Sequence, residues 1–187
     1  MLDVKTTSLP GVMLLTPRRF GDARGWFTET WNAQRMAEAG LDLAFVQDNH
    51  SFSAEPGTLR GLHFQKPPRA QDKLVRCTRG AIFDVAVDAR RGAPTYGQWT
   101  GAELTAENGH QLLVPKGFLH GFVTLVADTE VQYKCTDVYA PDCDGAVLWS
   151  SCGIDWPMPV AAPVLSDKDR AAQPFADFDT PFKADAP

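Results

Sequence analysis

A mainly β body, closed as a sandwich or a barrel, is the fold class this sequence predicts, and two observations predict it. Short runs rich in Val, Ile, Thr, Phe and Trp recur along the chain, spaced too closely to leave room for the crossover helices of a βαβ fold. Fourteen prolines and fifteen glycines are scattered between them, so the chain turns often.

The elements follow in order. Residues 12–15 are the first strand candidate. Phe20-Gly21-Asp22-Ala23-Arg24-Gly25 is turn chemistry, and the aromatic, threonine-bearing run 26–31 follows as a strand. Asn32 can cap a short helix through Ala39, with Gly40 ending it. Strands are expected at 45–52 and 58–65, then at 73–78 and 81–88 with Arg79-Gly80 as a hairpin corner between them. Further strands fall at 97–104, 111–115, 121–126, 130–136 and 146–149. From Ser150 onward, Trp156-Pro157 and Ser166-Asp167-Lys168-Asp169-Arg170 read as loops and short helices appended to this body, with a loosely held tail from about Asp177. The whole of 1–187 reads as one domain, long enough for a proper core.

Composition excludes several classes. At 44% apolar and 22% charged residues the chain reads as an ordinary soluble globular protein. No apolar run approaches the ~20 residues a membrane span needs, and Met1-Leu2-Asp3-Val4-Lys5 begins no signal peptide, so a cytoplasmic location is expected. A net charge of −5 argues against nucleic acid or an anionic membrane as partner. Cys77, Cys135, Cys143 and Cys152 include no C-x-x-C pair, so they are expected to be free thiols.

Two histidine-bearing runs carry the chemistry. Leu59-Arg60-Gly61-Leu62-His63-Phe64-Gln65 follows Gly57, and Pro115-Lys116-Gly117-Phe118-Leu119-His120-Gly121-Phe122 follows Gly109. Together they resemble the paired motifs of the cupin superfamily, which implies a jelly-roll β-barrel. The asparagine that usually ends the second motif is Thr124. In the first, Gln65 stands where a second histidine is usual and Lys73 where a glutamate is usual. A protonated lysine repels a divalent ion and glutamine is a poor ligand for transition metals, so a barrel without a metal is expected.

The chain further resembles the dTDP-4-dehydrorhamnose 3,5-epimerase family from about residue 1 to about residue 181. The two runs above carry the resemblance, together with Phe20-Gly21-Asp22-Ala23-Arg24-Gly25, Phe45-Val46-Gln47-Asp48-Asn49-His50-Ser51, Lys73-Leu74-Val75-Arg76-Cys77, Phe83-Asp84-Val85-Ala86-Val87-Asp88, Tyr133-Lys134 and Leu165-Ser166-Asp167-Lys168-Asp169. It implies a nucleotide-linked 4-keto-6-deoxyhexose as substrate, no cofactor and a homodimer. Protons at C3 and C5 are acidified by the C4 ketone, so the reaction needs a base on one face, a stabilised enolate and a proton donor on the other.

His63 is the expected base, since imidazole titrates near working pH. Taken alone it would read as a hydrogen-bonded core histidine. The resemblance makes Asp169 its orienting partner, although in its charged run Asp169 reads as a surface acid. Tyr133 is the expected proton donor, with Tyr139 as rival. Lys73 would stabilise the enolate oxygen, and His120 would bond the sugar or the C4 oxygen or simply support the barrel. Asp84, in a nearly continuous apolar strand, needs a partner and is expected to pair with His120 or Lys73. Arg24 and Arg60 suit a pyrophosphate; strand parity sets Arg60 on the face opposite His63 unless Gly61 allows a bulge. Glu29, Gln47, Asp48, Asn49 and Lys168 match binding positions of the family. Asp144 stands where a glutamate is common, and its shorter arm leaves its contact with substrate open. Three other readings compete: epimerisation at one carbon only, a sugar-nucleotide-binding cupin without turnover, and a metal-dependent cupin, which Gln65 and Lys73 oppose.

Overall fold

The computed structural model describes residues 2–184. Two antiparallel sheets face each other. The first has the order β1 (Leu2–Thr6), β2 (Met13–Pro17), β10 (Gln111–Val114), β7 (Lys73–Arg79), β12 (Thr129–Cys135) and β5 (Gln47–Ser53). The second runs β13 (Asp144–Ala146), β6 (Leu59–Gln65), β11 (Phe118–Thr124), β8 (Ala81–Asp88) and β9 (Trp99–Thr105). A separate hairpin joins β3 (Arg19–Asp22) to β4 (Gly25–Thr28). This is the expected jelly-roll body with short helices at its edge, α1 (Ala33–Glu38) and α2 (Asp167–Arg170) among them.

The core between the sheets includes Leu112, Val75 and Val131 from the first and Ile82, Ala86 and Phe122 from the second. The five-stranded sheet is buried on its other face too. Val85, Val87, Phe64 and Leu119 pack there against Phe178 and Phe182 of the C-terminal segment. Burial on both faces explains why β8 reads as an apolar run instead of an alternating one. The outer face of the six-stranded sheet is covered by α1 and the turn after it: Met36 and Leu41 pack on Leu15, Leu74 and Leu113.

Several expectations need correcting. Arg79-Gly80 is no hairpin corner, because β7 pairs with β10 and β12 while β8 pairs with β11 and β9. The corner carries the chain from one sheet to the other, with Gly80 at φ +78° where a Cβ would lie 2.4 Å from Thr129 Oγ1. Part of the expected turn at 20–25 is strand, and β1 was not anticipated. The tail is not loose through residue 184: Phe178 and Phe182 are buried and the Thr180 hydroxyl donates to the Ala89 carbonyl at 2.5 Å. Residues 185–187 lie outside the described residues. Thr124, where the cupin pattern has asparagine, accepts the Thr58 N–H at 3.0 Å and donates to the Glu55 carbonyl at 2.9 Å, so it fastens the turn that launches β6.

The feature that most shapes the site is a bulge in β6. His120 pairs with His63, yet Phe122 pairs with Arg60, so β6 carries an extra residue between the two pairs. Gly61 sits there at φ +137°, and a Cβ would come within 2.6 Å of the Gly121 Cα. Both the backbone conformation and the strand-to-strand approach therefore require glycine. Gly61→Ala should cost roughly 2–4 kcal/mol of stability in urea unfolding. Gly25→Ala, also at positive φ but with nothing within 4 Å of the new Cβ, should cost only the backbone strain, roughly 1–2 kcal/mol.

Candidate active site

Between the sheets lies a cavity of about 380 Å³. The five-stranded sheet contributes Arg60, His63, His120 and Phe122, and the six-stranded sheet contributes Ser51, Lys73 and Tyr133. Lys168 and Asp169 of α2 close it from the side, with Val164, Leu165 and Ser166 leading into that helix.

Each histidine has its own carboxylate. His63 Nε2 lies 2.5 Å from Asp169 Oδ1, and His120 Nε2 lies 2.7 Å from Asp84 Oδ1. Asp169 is 2% exposed, so it is no surface acid. Burial pushes its carboxyl up, but the His63 ring, the Ser166 hydroxyl and the Gly61 N–H together hold it below the ordinary range. An ionised Asp169 accepts the Nε2 proton, which leaves the lone pair of a neutral His63 on Nδ1. Asp84 differs: burial in the core pushes it up, opposed by His120 and then Lys73. Its Oδ2 has no hydrogen-bond partner among the described residues.

Lys73 and Tyr133 share the opposite wall. Lys73 Nζ lies 6.0 Å from the Tyr133 ring centre. Burial lowers the Lys73 pKa, while Cys135, Asp144 and Asp84 support its charge. Burial raises that of Tyr133, so the phenol keeps its proton across the neutral range. Tyr139 sits elsewhere: it is 57% exposed at the rim, its hydroxyl 3.5 Å from Asp144.

The bulge settles the parity of Arg60, which lines the same cavity as His63 and is held by the Phe52 carbonyl at 3.0 Å. A second chamber of about 210 Å³ adjoins the first, sharing His63, Lys73, Tyr133 and Lys168 with it. Its other walls include Gln47, Asn49, Gln65, Tyr139 and Asp144. Asp144 pairs with Lys168 despite its short arm.

Three expected binding residues do not reach either chamber of this chain. Asp48 points to the outer face of β5, where it pairs with Lys134 at 2.7 Å, because side chains alternate along a strand and Gln47 and Asn49 take the inner face. Glu29 pairs with Arg35 at 3.0 Å beside α1. Arg24 stands on the exposed hairpin and pairs with Asp22 at 2.5 Å. Conversely, Ser51 lines the cavity with its hydroxyl unpartnered among the described residues, and Ser166 caps α2 by accepting the Asp169 N–H at 3.1 Å. Period-two alternation from Gln47 would have found Ser51; a Ser immediately before a helical run that opens on an acid would have found Ser166.

The donor set does not suit a divalent metal. Lys73 brings a cation into the cavity, and the Gln65 amide bonds to the Arg69 and Val138 carbonyls and the Ala140 N–H. Among the described residues no group of three or more His, Cys, Asp or Glu could hold an ion.

A sequence profile described as dTDP-4-dehydrorhamnose 3,5-epimerase matches residues 6–177. The chain is 51% identical over 175 residues to the dTDP-4-dehydrorhamnose 3,5-epimerase of Salmonella typhimurium, covering 92% of this chain and 94% of that one. It superposes at a TM-score of 0.89 and 51% identity on the Bacillus anthracis dTDP-4-dehydrorhamnose 3,5-epimerase with TDP and PPi bound, covering 93% and 99% of the two chains. The Legionella pneumophila dTDP-6-deoxy-D-glucose-3,5-epimerase in complex with dTDP-4-keto-L-rhamnose superposes at 0.94 with 40% identity over 100% of both chains.

A half-buried ammonium with no ion pair among the described residues is costly to the fold, so Lys73→Met should raise the urea midpoint, by about 1 kcal/mol in stability. The same variant should lower kcat/KM on a nucleotide 4-keto sugar by roughly 10²-fold. A variant that lost stability along with activity would mean that Lys73 holds the barrel together.

Proposed function

This chain belongs to the dTDP-4-dehydrorhamnose 3,5-epimerase family, and we propose that it inverts C3 and C5 of dTDP-4-dehydro-6-deoxy-D-glucose to give dTDP-4-dehydro-L-rhamnose. His63 takes the proton from the carbon beside the ketone, with Asp169 holding the ring and stabilising the imidazolium. The electron pair moves onto the C4 oxygen, where Lys73 and His120 meet the negative charge. Tyr133 returns a proton to the opposite face, and the ketone reforms. His63 then releases its proton to solvent and Tyr133 regains one, so the same pair serves the second carbon and both inversions balance with no change of oxidation state.

The observation that carries this reading is the opposition of His63 and Tyr133. They project from different sheets into one cavity, so a sugar between them has a base on one face and an acid on the other. Tyr133 is preferred to Tyr139 as donor because it lines both chambers with His63, whereas Tyr139 reaches only the second and is mostly exposed.

The enzyme works as a cytoplasmic homodimer, one epimerase domain per chain. Phe20, Trp26 and Phe27 leave the β3–β4 hairpin with an exposed apolar surface, and Arg24 at its tip pairs with Asp22 and lines neither chamber of its own chain. In the dimer this hairpin, with Arg24 and Glu29, completes the partner's pyrophosphate and nucleotide contacts. Arg60, Gln47, Asn49, His120, Asp144 and Lys168 serve as the contacts from the chain's own walls, while Asp48 acts indirectly by holding the outer face of β5.

The test is conversion of the 4-keto sugar nucleotide, with product identified by NMR. His63→Ala should lower kcat by roughly 10²–10⁴-fold and leave dTDP affinity within about twofold. A chelator should leave the wild-type rate unchanged. Undiminished turnover in His63→Ala removes that residue from the role of base, and product inverted at one carbon reduces the enzyme to a mono-epimerase.

A further inference from the structure

Gln65 ends β6 at the position where the cupin pattern carries a second histidine, and the proton chemistry leaves it without a task. Its side chain is 5% exposed and fully engaged. Nε2 donates to the carbonyls of Arg69 at 2.7 Å and Val138 at 3.2 Å, and Oε1 accepts the Ala140 N–H at 2.7 Å.

These bonds reach the segment between β12 and the short turn Pro141–Cys143. Its first residues are tied to the 66–72 loop: Thr136 N–H donates to the Asp72 carbonyl, Gln71 to the Asp137 carbonyl, and Arg69 pairs with the Asp137 carboxylate. Beyond Asp137 the support changes. Val138 C=O and Ala140 N–H go to Gln65, and the Tyr139 N–H goes to Gln47 Oε1 at 2.8 Å. Side-chain amides there do what a neighbouring strand would otherwise do. Tyr139 then faces the second chamber, and the chain enters β13 with Asp144.

We propose that Gln65 is a positioning residue, its amide fixing residues 138–140 as the wall of the second chamber and so setting the shape in which the nucleotide sugar is gripped. The inference rests on the nucleotide-sugar reading for its ligand but not for its geometry. A position that ligates metal in other cupins is here a strut between two rim loops. It acts on binding, because Gln65 makes none of its bonds to His63, Lys73 or Tyr133.

Gln65→Glu keeps the shape and the acceptor but removes both donors, setting a carboxylate against two carbonyls. KM for the nucleotide sugar and the Kd of dTDP alone should rise about tenfold while kcat stays within about threefold. Thr95→Val, which removes the 2.6 Å bond to Asp88 away from both chambers, should lower stability and leave KM and Kd unchanged. Hydrogen exchange on the wild-type protein reads the strut whether or not the variant folds: the Ala140 amide, which Gln65 Oε1 accepts, should be protected without ligand. Exchange at open-loop rates overturns the proposal, as does an unchanged KM and Kd, or a fall in kcat alone. Absence of turnover in the wild type would defeat the epimerase reading, with the dTDP and exchange measurements still deciding the role of Gln65.

Discussion

The hydrogen bond between His63 and Asp169 joins residues 106 apart in sequence, and the site depends on it. It ties the C-terminal appendage to β6, between β13 and β11 in the five-stranded sheet. Ser166 caps α2 so that Asp169 meets the ring, and the same short helix sets Lys168 against Asp144. A loop that elsewhere would be peripheral thereby becomes a wall. The bond also fixes which imidazole nitrogen is left for chemistry, since Nε2 is taken.

The rest of the frame keeps the two sides of the cavity apart and rigid. The five-stranded sheet is buried on both faces, with the C-terminal aromatic residues packed behind it, so His63 and His120 stand on a backbone that cannot shift easily. His120 is anchored to Asp84 in surroundings that penalise an unpaired charge, and breaking such a buried pair costs far more than its formation gains. Facing them, burial keeps the Tyr133 phenol protonated and weakens the hold of Lys73 on its proton. The arrangement supports the proposed enolate route, in which His63 on one sheet is the base and Tyr133 on the other is the acid.

Much of this was legible in the sequence where the signal is local. Strand runs, the Asn32 cap and the turn glycines were readable because alternation and backbone freedom leave direct traces. The partner of Asp84 was narrowed to His120 or Lys73 because a carboxylate in an apolar strand must be paired. The Arg79-Gly80 corner misled because turn chemistry says that the chain reverses, not which sheet it enters. Arg60 hung on whether Gly61 bulged, which depends on the close approach of Gly121 from β11. Asp48 was grouped with its neighbours by resemblance, although alternation already set it on the other face. The tail looked loose because its anchors, Phe178 and Phe182, meet partners that lie far away in sequence. Gln65 could be read only as a missing ligand, since its bonds run to backbone groups that sequence does not locate.

The central claim is that one base, His63, serves both carbons from one side of the sugar. Turnover of the 4-keto sugar nucleotide in D₂O, with label read by NMR at C3 and C5, tests it most directly. Wild-type protein is predicted to label both positions, and His63→Asn to lose label at both together. Label that persists at one carbon in His63→Asn would contradict the account.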